Sequence, residues 1–75
     1  MIKAEEIRAL IEQGIPGARA DVVDEANDGE HFSAVVTAPQ FATLSRIQQH
    51  QAVYAALGDA IRSRIHALQL KTGAP

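Results

Sequence analysis

Residues 27–37 read Asn-Asp-Gly-Glu-His-Phe-Ser-Ala-Val-Val-Thr, and this stretch decides the fold. Asn, Asp and Gly tolerate positive φ and are typical of turns, whereas the β-branched and aromatic residues that follow are typical of strands. Residues 18–25, just before the turn, also contain alternating and β-branched residues. The pattern predicts a β-hairpin, with Pro39 ending its second strand.

A helix over residues 3–13 is predicted before the hairpin. Ile7, Leu10 and Ile11 recur at helical spacing, and acidic residues in the first turn suit the positive end of the helix dipole. Gly14, followed by Ile-Pro-Gly, is the expected stop, because glycine can adopt a left-handed cap and proline cannot continue a helix.

A second helix is predicted after the hairpin, with Ser45 as its N-cap and Gly58 as its end. Its expected apolar positions are Ile47, Val53, Tyr54 and Leu57, with Ala52 and Ala56 alongside. A short segment over 59–63 follows, with Ala60 and Ile61 as candidates for burial.

Residues 65–71 alternate as a strand does, and residues 72–75 are expected to fray. The element order is therefore helix, strand, strand, helix, helix, strand (αββααβ). We expect a single α+β domain over 1–75, in which the helices pack on one face of a small three-stranded mixed sheet.

Composition excludes several classes of protein. A chain of 75 residues with 47% hydrophobic and 21% charged residues is typical of one small globular domain. It has no cysteine, which excludes disulfides and any thiolate site built from this chain alone. A small fold without disulfides suits a reducing compartment, so we expect a cytoplasmic protein. There is no apolar run of membrane-spanning length and no signal-peptide pattern at the N-terminus, so we expect no membrane partner.

The net charge of −2 is unevenly distributed. Eight of the nine acidic residues lie in the first 38 residues, whereas four of the seven basic residues follow them. Such a chain can present an acidic edge and a basic edge to different partners, or it can simply have solvated faces.

Several stretches, taken in order, resemble the BolA family. They are Gly29-Glu30-His31-Phe32 entering a strand, Val35-Val36-Thr37 leaving it, Phe41 ahead of Ser45, residues 49–57, and Ile65-His66-Ala67-Leu68-Gln69-Leu70-Lys71-Thr72. The resemblance runs from about Ile7 to Thr72. It implies a fold related to the class II KH domain, which agrees with the element order above.

The resemblance also implies two functions. The first is binding to a monothiol glutaredoxin, with a [2Fe-2S] cluster shared between the two proteins in iron trafficking or regulation. The alternative is nucleic-acid binding, as a stress-linked transcriptional regulator that affects cell shape, with DNA as the partner. With either function, the free chain is expected to be a monomer or a weak homodimer that binds partners. It is not expected to be an enzyme, since no serine, carboxylate or glycine-rich motif has a catalytic context.

The sequence departs from the family pattern at three places. Thr43 stands where a glycine is common, the chain stops at Pro75 where many members continue, and neutral Gln49 and Gln51 flank His50 where basic residues are common. His50 is accordingly expected to face solvent, and the glutamines weaken the case for nucleic-acid binding.

His66 is implied by the resemblance to supply one ligand to the shared cluster, and imidazole is a competent ligand for such iron. The residues alone leave two interpretations. Strand alternation places His66 on the same face as Leu68 and Leu70, which predicts a core histidine, whereas a position at the start of the strand is consistent with an exposed edge.

The second ligand in the family comes from the loop between the first two strands and is a cysteine or a histidine. His31 is the suitable residue there, and an ordinary exposed histidine is an equal interpretation. Asp28 and Glu30 carry hard oxygen ligands and are expected to serve the turn and solvation. Because two histidines cannot hold the cluster alone, the thiolates must come from the partner.

For the nucleic-acid alternative the candidate residues form a small basic set without the Gly-x-x-Gly loop of a typical KH domain. They are Arg46, Arg62, Arg64 and Lys71. Four exposed bases would give weak, salt-sensitive binding at best.

Overall fold

The computed structural model describes residues 2–75 and has the predicted order of elements. These are α1 (Ala4–Gly14), β1 (Arg19–Asp24), β2 (His31–Thr37), α2 (Arg46–Leu57), α3 (Ala60–Ser63) and β3 (Ala67–Gly73). A 3₁₀ turn over Pro39–Thr43, which the sequence pattern did not predict, joins β2 to α2. Among the described helices, none combines the length and apolar character that crossing a membrane requires.

The sheet has the order β1-β2-β3, with β1 antiparallel and β3 parallel to the central β2. On β2, the alternating side chains of Phe32, Ala34 and Val36 are buried in the same core as the helices. Val23 and Val35 are exposed on the opposite face of the sheet. The α+β class, the mixed three-stranded sheet and the packing of helices on one face are therefore confirmed.

The turn between β1 and β2 has the backbone that its residues predict. Asn27 and Gly29 have positive φ, at 52° and 71°. The Asp24 carboxylate accepts the backbone N–H groups of Asp28 at 3.2 Å and Gly29 at 2.8 Å. These bonds fix the end of the loop from which β2 begins.

The N-terminus of α2 is capped as predicted. Ser45 Oγ accepts the backbone N–H of Gln48, and Gln48 Oε1 accepts the backbone N–H of Ser45, which completes a capping box. The helix ends before Gly58 (φ 57°). In the following α3, Ala60 is buried and Ile61 is half-buried.

The predicted burial of Ile47 and Tyr54 in α2 is wrong, since they are 71% and 40% exposed. The buried residues of this helix are Gln49, Val53 and Leu57, which are spaced four apart on one face. At about 100° per residue, Ile47 lies on the far side of the helix from this stripe. The face of α2 that packs on the core therefore includes a glutamine, whereas hydrophobicity alone had predicted isoleucine and tyrosine for this face.

Gly14 ends α1, but not as the expected left-handed cap. The capping residue is Ile15 in extended conformation, and the positive φ, 81°, falls at Gly17. A Cβ atom on Gly14 would lie 2.6 Å from the Cβ of Ala56. Close contact between α1 and α2, not backbone conformation, is what requires glycine at this position.

The predicted bounds of β3 are wrong at both ends. The Ile65 N–H donates to the Ala60 carbonyl at 3.0 Å, which keeps Ile65 in the turn after α3, and the strand begins two residues later. At the other end, Thr72 and Gly73 stay paired with β2 and do not fray.

Candidate functional site

Two histidines, 35 positions apart in the sequence, meet at one end of the sheet. His31 is the first residue of β2, and the parallel register sets Ala67 opposite it. The Ala67 N–H donates to the Glu30 carbonyl at 2.9 Å, which brings His66 alongside His31. The two imidazole rings are edge-to-face, with centroids 5.3 Å apart and planes at 76°.

His66 is exposed, so the interpretation as a core histidine is wrong. That interpretation assumed a strand from residue 65, but His66 precedes the first residue of β3. Leu68 and Leu70, which lie within the strand, do pack against the core. The side chain of His66 is thus accessible to a ligand or a partner.

His31 has a side chain that is 51% exposed and makes a specific contact. Its Nδ1 lies 2.9 Å from Oδ2 of Asp28. The other oxygen of Asp28 accepts the backbone N–H groups of Glu30 at 2.9 Å and His31 at 3.2 Å. The N–H of Glu30, followed by the side chain of His31, lowers the pKa of Asp28 to about 2.

The contact between Asp28 and His31 was missed by sequence reasoning, which assigned Asp28 to the turn and to solvation. A signal for it exists in the sequence. An aspartate that accepts the N–H two residues on forms an Asx turn, and this turn brings the residue three positions on within reach of the same carboxylate.

The donor set at this end of the sheet fits the histidine side of an iron–sulfur centre. Two adjacent imidazoles offer the nitrogen ligands that replace thiolates on one iron in clusters of the Rieske type. Ligand atoms of Asp28, Glu30 and His31 also lie within 4.8 Å of one another, but the carboxylates are hard ligands that suit iron–sulfur chemistry poorly. The chain has no cysteine, so its own residues offer no thiolate ligand.

His66 lies between two different surfaces. On one side is an open polar hollow lined by Asp28, Gly29, Glu30, Arg62, Ser63, Arg64 and Ile65. On the other is a shallow, mostly apolar groove lined by Tyr54, Ile61, Ile65 and Leu68. A protein that binds at His66 would therefore contact both an apolar and a charged surface.

His50 lines neither of the two surfaces beside His66. It is half-buried on α2, with its ring edge-to-face against Tyr54 at a centroid distance of 6.5 Å. It borders Arg46, Lys71 and Thr72, beside the C-terminal half of β3. His50 was expected to face solvent; it is partly exposed, and the helix turns it towards the end of β3.

The four basic candidates do not form one patch. Arg46 and Lys71 border the same hollow, whereas Arg62 and Arg64 border the polar hollow at His66. Arg64 is also paired with Glu6, at 2.7 Å between Nη1 and Oε2. The structure thus divides the basic residues that the sequence grouped together, and one of them has a carboxylate partner.

Comparison with known proteins agrees with this fold. Residues 16–75 match the family described as BolA-like protein. A bolA protein homologue from Coxiella burnetii is 39% identical, with a TM-score of 0.87 over 100% of this chain and 94% of that one. The BolA domain of SufE1 from Arabidopsis thaliana is 26% identical, with a TM-score of 0.80 over 96% and 91% of the two chains. The uncharacterized protein RP812 from Rickettsia prowazekii is 30% identical over 95% of this chain and 92% of its own length.

Proposed function

The chain belongs to the BolA-like family, and from that premise we propose that it is an adaptor that binds a monothiol glutaredoxin and shares a [2Fe-2S] cluster with it. In this proposal His66 and His31 are the ligands that the chain contributes. Its role is to bind and present ligands, not to catalyse a reaction. The observation that supports it is the exposed pair of imidazoles with centroids 5.3 Å apart.

The pairing of these residues favours a shared ligand role over two unrelated surface histidines. Their closeness follows from the parallel register of β2 and β3, since His31 is the first residue of β2 and His66 immediately precedes β3. Neither ring is in the core, and the two rings contact each other edge-to-face. Ligands that are fixed in place before binding lose little conformational entropy when they bind.

The absence of cysteine determines what the partner must provide. Thiolates complete the ligand sets of iron–sulfur clusters, and this chain has none. A monothiol glutaredoxin brings a cysteine thiolate. When bound, the cluster would supply a redox-active and transferable iron centre whose histidine ligation alters its reduction potential and lability.

The apolar groove beside His66 is the proposed contact surface for the glutaredoxin. Tyr54 is 40% exposed and borders the groove together with Ile61 and Leu68. Aromatic residues are enriched at the cores of protein interfaces. A partner that brings a thiolate to His66 would cover this groove as well.

The test is to mix the purified chain anaerobically with a cluster-loaded monothiol glutaredoxin and record visible absorption and circular dichroism. We expect a new cluster spectrum on mixing, which is lost with His66→Ala and weakened or altered with His31→Ala. Gln69→Ala is the matched control, since it truncates an exposed residue of β3 that lines neither surface beside His66. The far-ultraviolet circular dichroism of each variant verifies the fold.

An unchanged cluster spectrum on mixing would overturn the proposal. So would a new spectrum that His66→Ala leaves intact, because the cluster would then be held elsewhere. A separate binding measurement with apo-glutaredoxin and Tyr54→Ala tests the contact surface, and undiminished affinity of that variant would exclude the groove.

A further inference from the structure

The carboxylate of Asp28 is held on three sides at the start of β2. Its Oδ1 accepts two backbone N–H groups, from Glu30 at 2.9 Å and from His31 at 3.2 Å. Its Oδ2 lies 2.9 Å from Nδ1 of the His31 ring. A side chain fixed by its own backbone bonds gives the imidazole a stationary partner.

Hydrogen bonds to Asp24 and Glu25 hold the loop that carries Asp28 in place. Asp24 accepts the backbone N–H groups of Asp28 and Gly29, and the Glu25 N–H donates to the His31 carbonyl at 2.9 Å. Both ends of the loop are therefore bonded before any partner binds. The contact between Asp28 and His31 is a consequence of this backbone arrangement.

The chemistry of this contact selects one form of the imidazole. An ionised carboxylate can only accept hydrogen bonds, so the Nδ1 that faces it must carry the proton. In the neutral ring the other nitrogen, Nε2, then holds the free lone pair. Imidazole in water prefers the opposite form, with the proton on Nε2.

We propose that Asp28 is a positioning residue that sets the tautomer and orientation of His31, and so presents Nε2 as its ligand atom. The ligand role of His31 rests on the function proposed above, whereas the tautomer is a property of the free chain. Carboxylates that accept the second N–H of a ligating histidine are a recurrent arrangement in metal sites. Here the arrangement is built from one loop, with a spacing of three residues.

Glu30 offers a matched control within the same loop. Its carboxylate has the same charge, and it has no hydrogen-bond partner among residues 2–75. Glu30→Gln therefore removes one negative charge near His31 without removing the contact to Nδ1. Asp28→Asn, in contrast, keeps an oxygen for the backbone N–H groups and sets an amide donor against Nδ1.

The experiment is long-range ¹H–¹⁵N correlation spectroscopy of the histidine side chains in the free chain, at alkaline pH where imidazoles are neutral. We expect the Nδ1–H tautomer for His31 in the wild-type chain and in Glu30→Gln. Asp28→Asn should change it to the Nε2–H tautomer, with the backbone amide signals of the loop reporting whether the loop is preserved. A wild-type His31 in the Nε2–H form overturns the proposal whatever the variants do, and so does a tautomer that Asp28→Asn leaves unchanged.

Cluster binding with the glutaredoxin forms the second arm. Loss of such a partner typically weakens metal affinity about 10–100-fold, so Asp28→Asn should lower cluster retention in that range while Glu30→Gln does not. Equal retention in the two variants would overturn the positioning role in ligation. If the wild-type chain forms no shared cluster, the proposed function fails, and the tautomer measurement still decides what Asp28 does to His31.

Discussion

The hydroxyl of Thr72 donates a 2.7 Å hydrogen bond to Oε1 of Gln49, which joins the last strand to the N-terminal part of α2. The amide nitrogen of the same glutamine donates to the carbonyls of Phe41 and Leu44, each at 3.0 Å. Gln49 is only 9% exposed. One buried side chain thus connects the 3₁₀ turn, α2 and β3 with all its polar groups satisfied.

Replacing Gln49 by leucine should destabilise the chain although it makes the core more apolar. The substitution leaves the part-buried Thr72 hydroxyl and Leu44 carbonyl without their partner. An unsatisfied group costs about 1–3 kcal/mol when it is fully buried, and less when water can reach it. We expect a lower midpoint of urea unfolding. Gln51→Leu, at an exposed position of the same helix, should change stability by no more than about 0.5 kcal/mol.

A double-mutant cycle with Thr72→Val separates the interaction from simple burial. If the hydrogen bond contributes, Thr72→Val should cost less in the Gln49→Leu background than in the wild-type chain. Equal costs in both backgrounds would show that the two residues do not interact in solution.

Gly14→Ala should also destabilise the chain, against the usual preference of helices. Alanine in place of glycine in a helix is favourable by up to about 1 kcal/mol. Here the new Cβ would lie 2.6 Å from the Cβ and 3.0 Å from the Cα of Ala56. These atoms lie on or next to the backbone of α2 and cannot move aside as a flexible side chain would, so the two helices must move apart. Such overpacking costs about 1–3 kcal/mol.

The control for this substitution is Gly73→Ala, where the added Cβ meets no atom within 4 Å. Thermal unfolding should show a lower midpoint for Gly14→Ala and a nearly unchanged one for Gly73→Ala. Adding Ala56→Gly to Gly14→Ala should recover part of the loss. A Gly14→Ala chain as stable as the wild type would mean that α1 and α2 are not packed so closely.

The parts of the fold that follow from neighbouring residues were predictable. Ser45 and Gln48 are three residues apart, and their capping box sets the start of α2 without help from the rest of the chain. The same is true of Asn27 and Gly29, whose positive φ values form the turn. In both cases the sequence contains all the interacting groups within a few residues.

The parts of the fold that depend on residues distant in the sequence could not be predicted. The alternation of apolar and polar residues could not show that Ile65 is buried as part of a turn bonded to α3, before the strand begins. Nor could it show that Gln49 has carbonyl partners in the 3₁₀ turn and a hydroxyl partner in β3. The family resemblance named His31 and His66, but their contact depends on the parallel register, which no local pattern encodes.

The stability of the chain should depend on Asp28 in the acidic range. Hydrogen bonds from the backbone N–H of Glu30 and from the His31 side chain lower the pKa of Asp28 to about 2, against about 3.9 for an ordinary aspartate. Since these bonds favour the ionised form, their stabilisation is complete above about pH 4 and is lost as the pH falls through about 2.

The measurement is urea unfolding of the wild type and Asp28→Asn at about pH 7, 4 and 2. The difference in midpoint between the two proteins at about pH 7 should persist at about pH 4 and shrink at about pH 2. A carbon-13 titration of the Asp28 carboxyl group should give a midpoint near 2. A midpoint near 4 would show that the bonds to the carboxylate do not form in solution.

Binding to duplex DNA should be weak and should have a shallow salt dependence. Arg46 and Lys71 border one hollow and Arg62 and Arg64 another. Lys71 lies four residues along β3 from Ala67, about 13 Å at 3.3 Å per residue. With Arg64 already paired to Glu6, a single approach to a duplex can use about two of these charges.

Fluorescence anisotropy with a labelled duplex, from about 50 to 200 mM salt, measures the number of phosphates contacted. The slope of log affinity against log salt is about −0.9 for each phosphate neutralised, so we expect a slope no steeper than about −2. Arg62→Ala should reduce the slope more than Arg64→Ala, because Glu6 already neutralises Arg64. A slope near −4 that both substitutions reduce equally would mean that all four bases contact the duplex together, and would restore the nucleic-acid alternative.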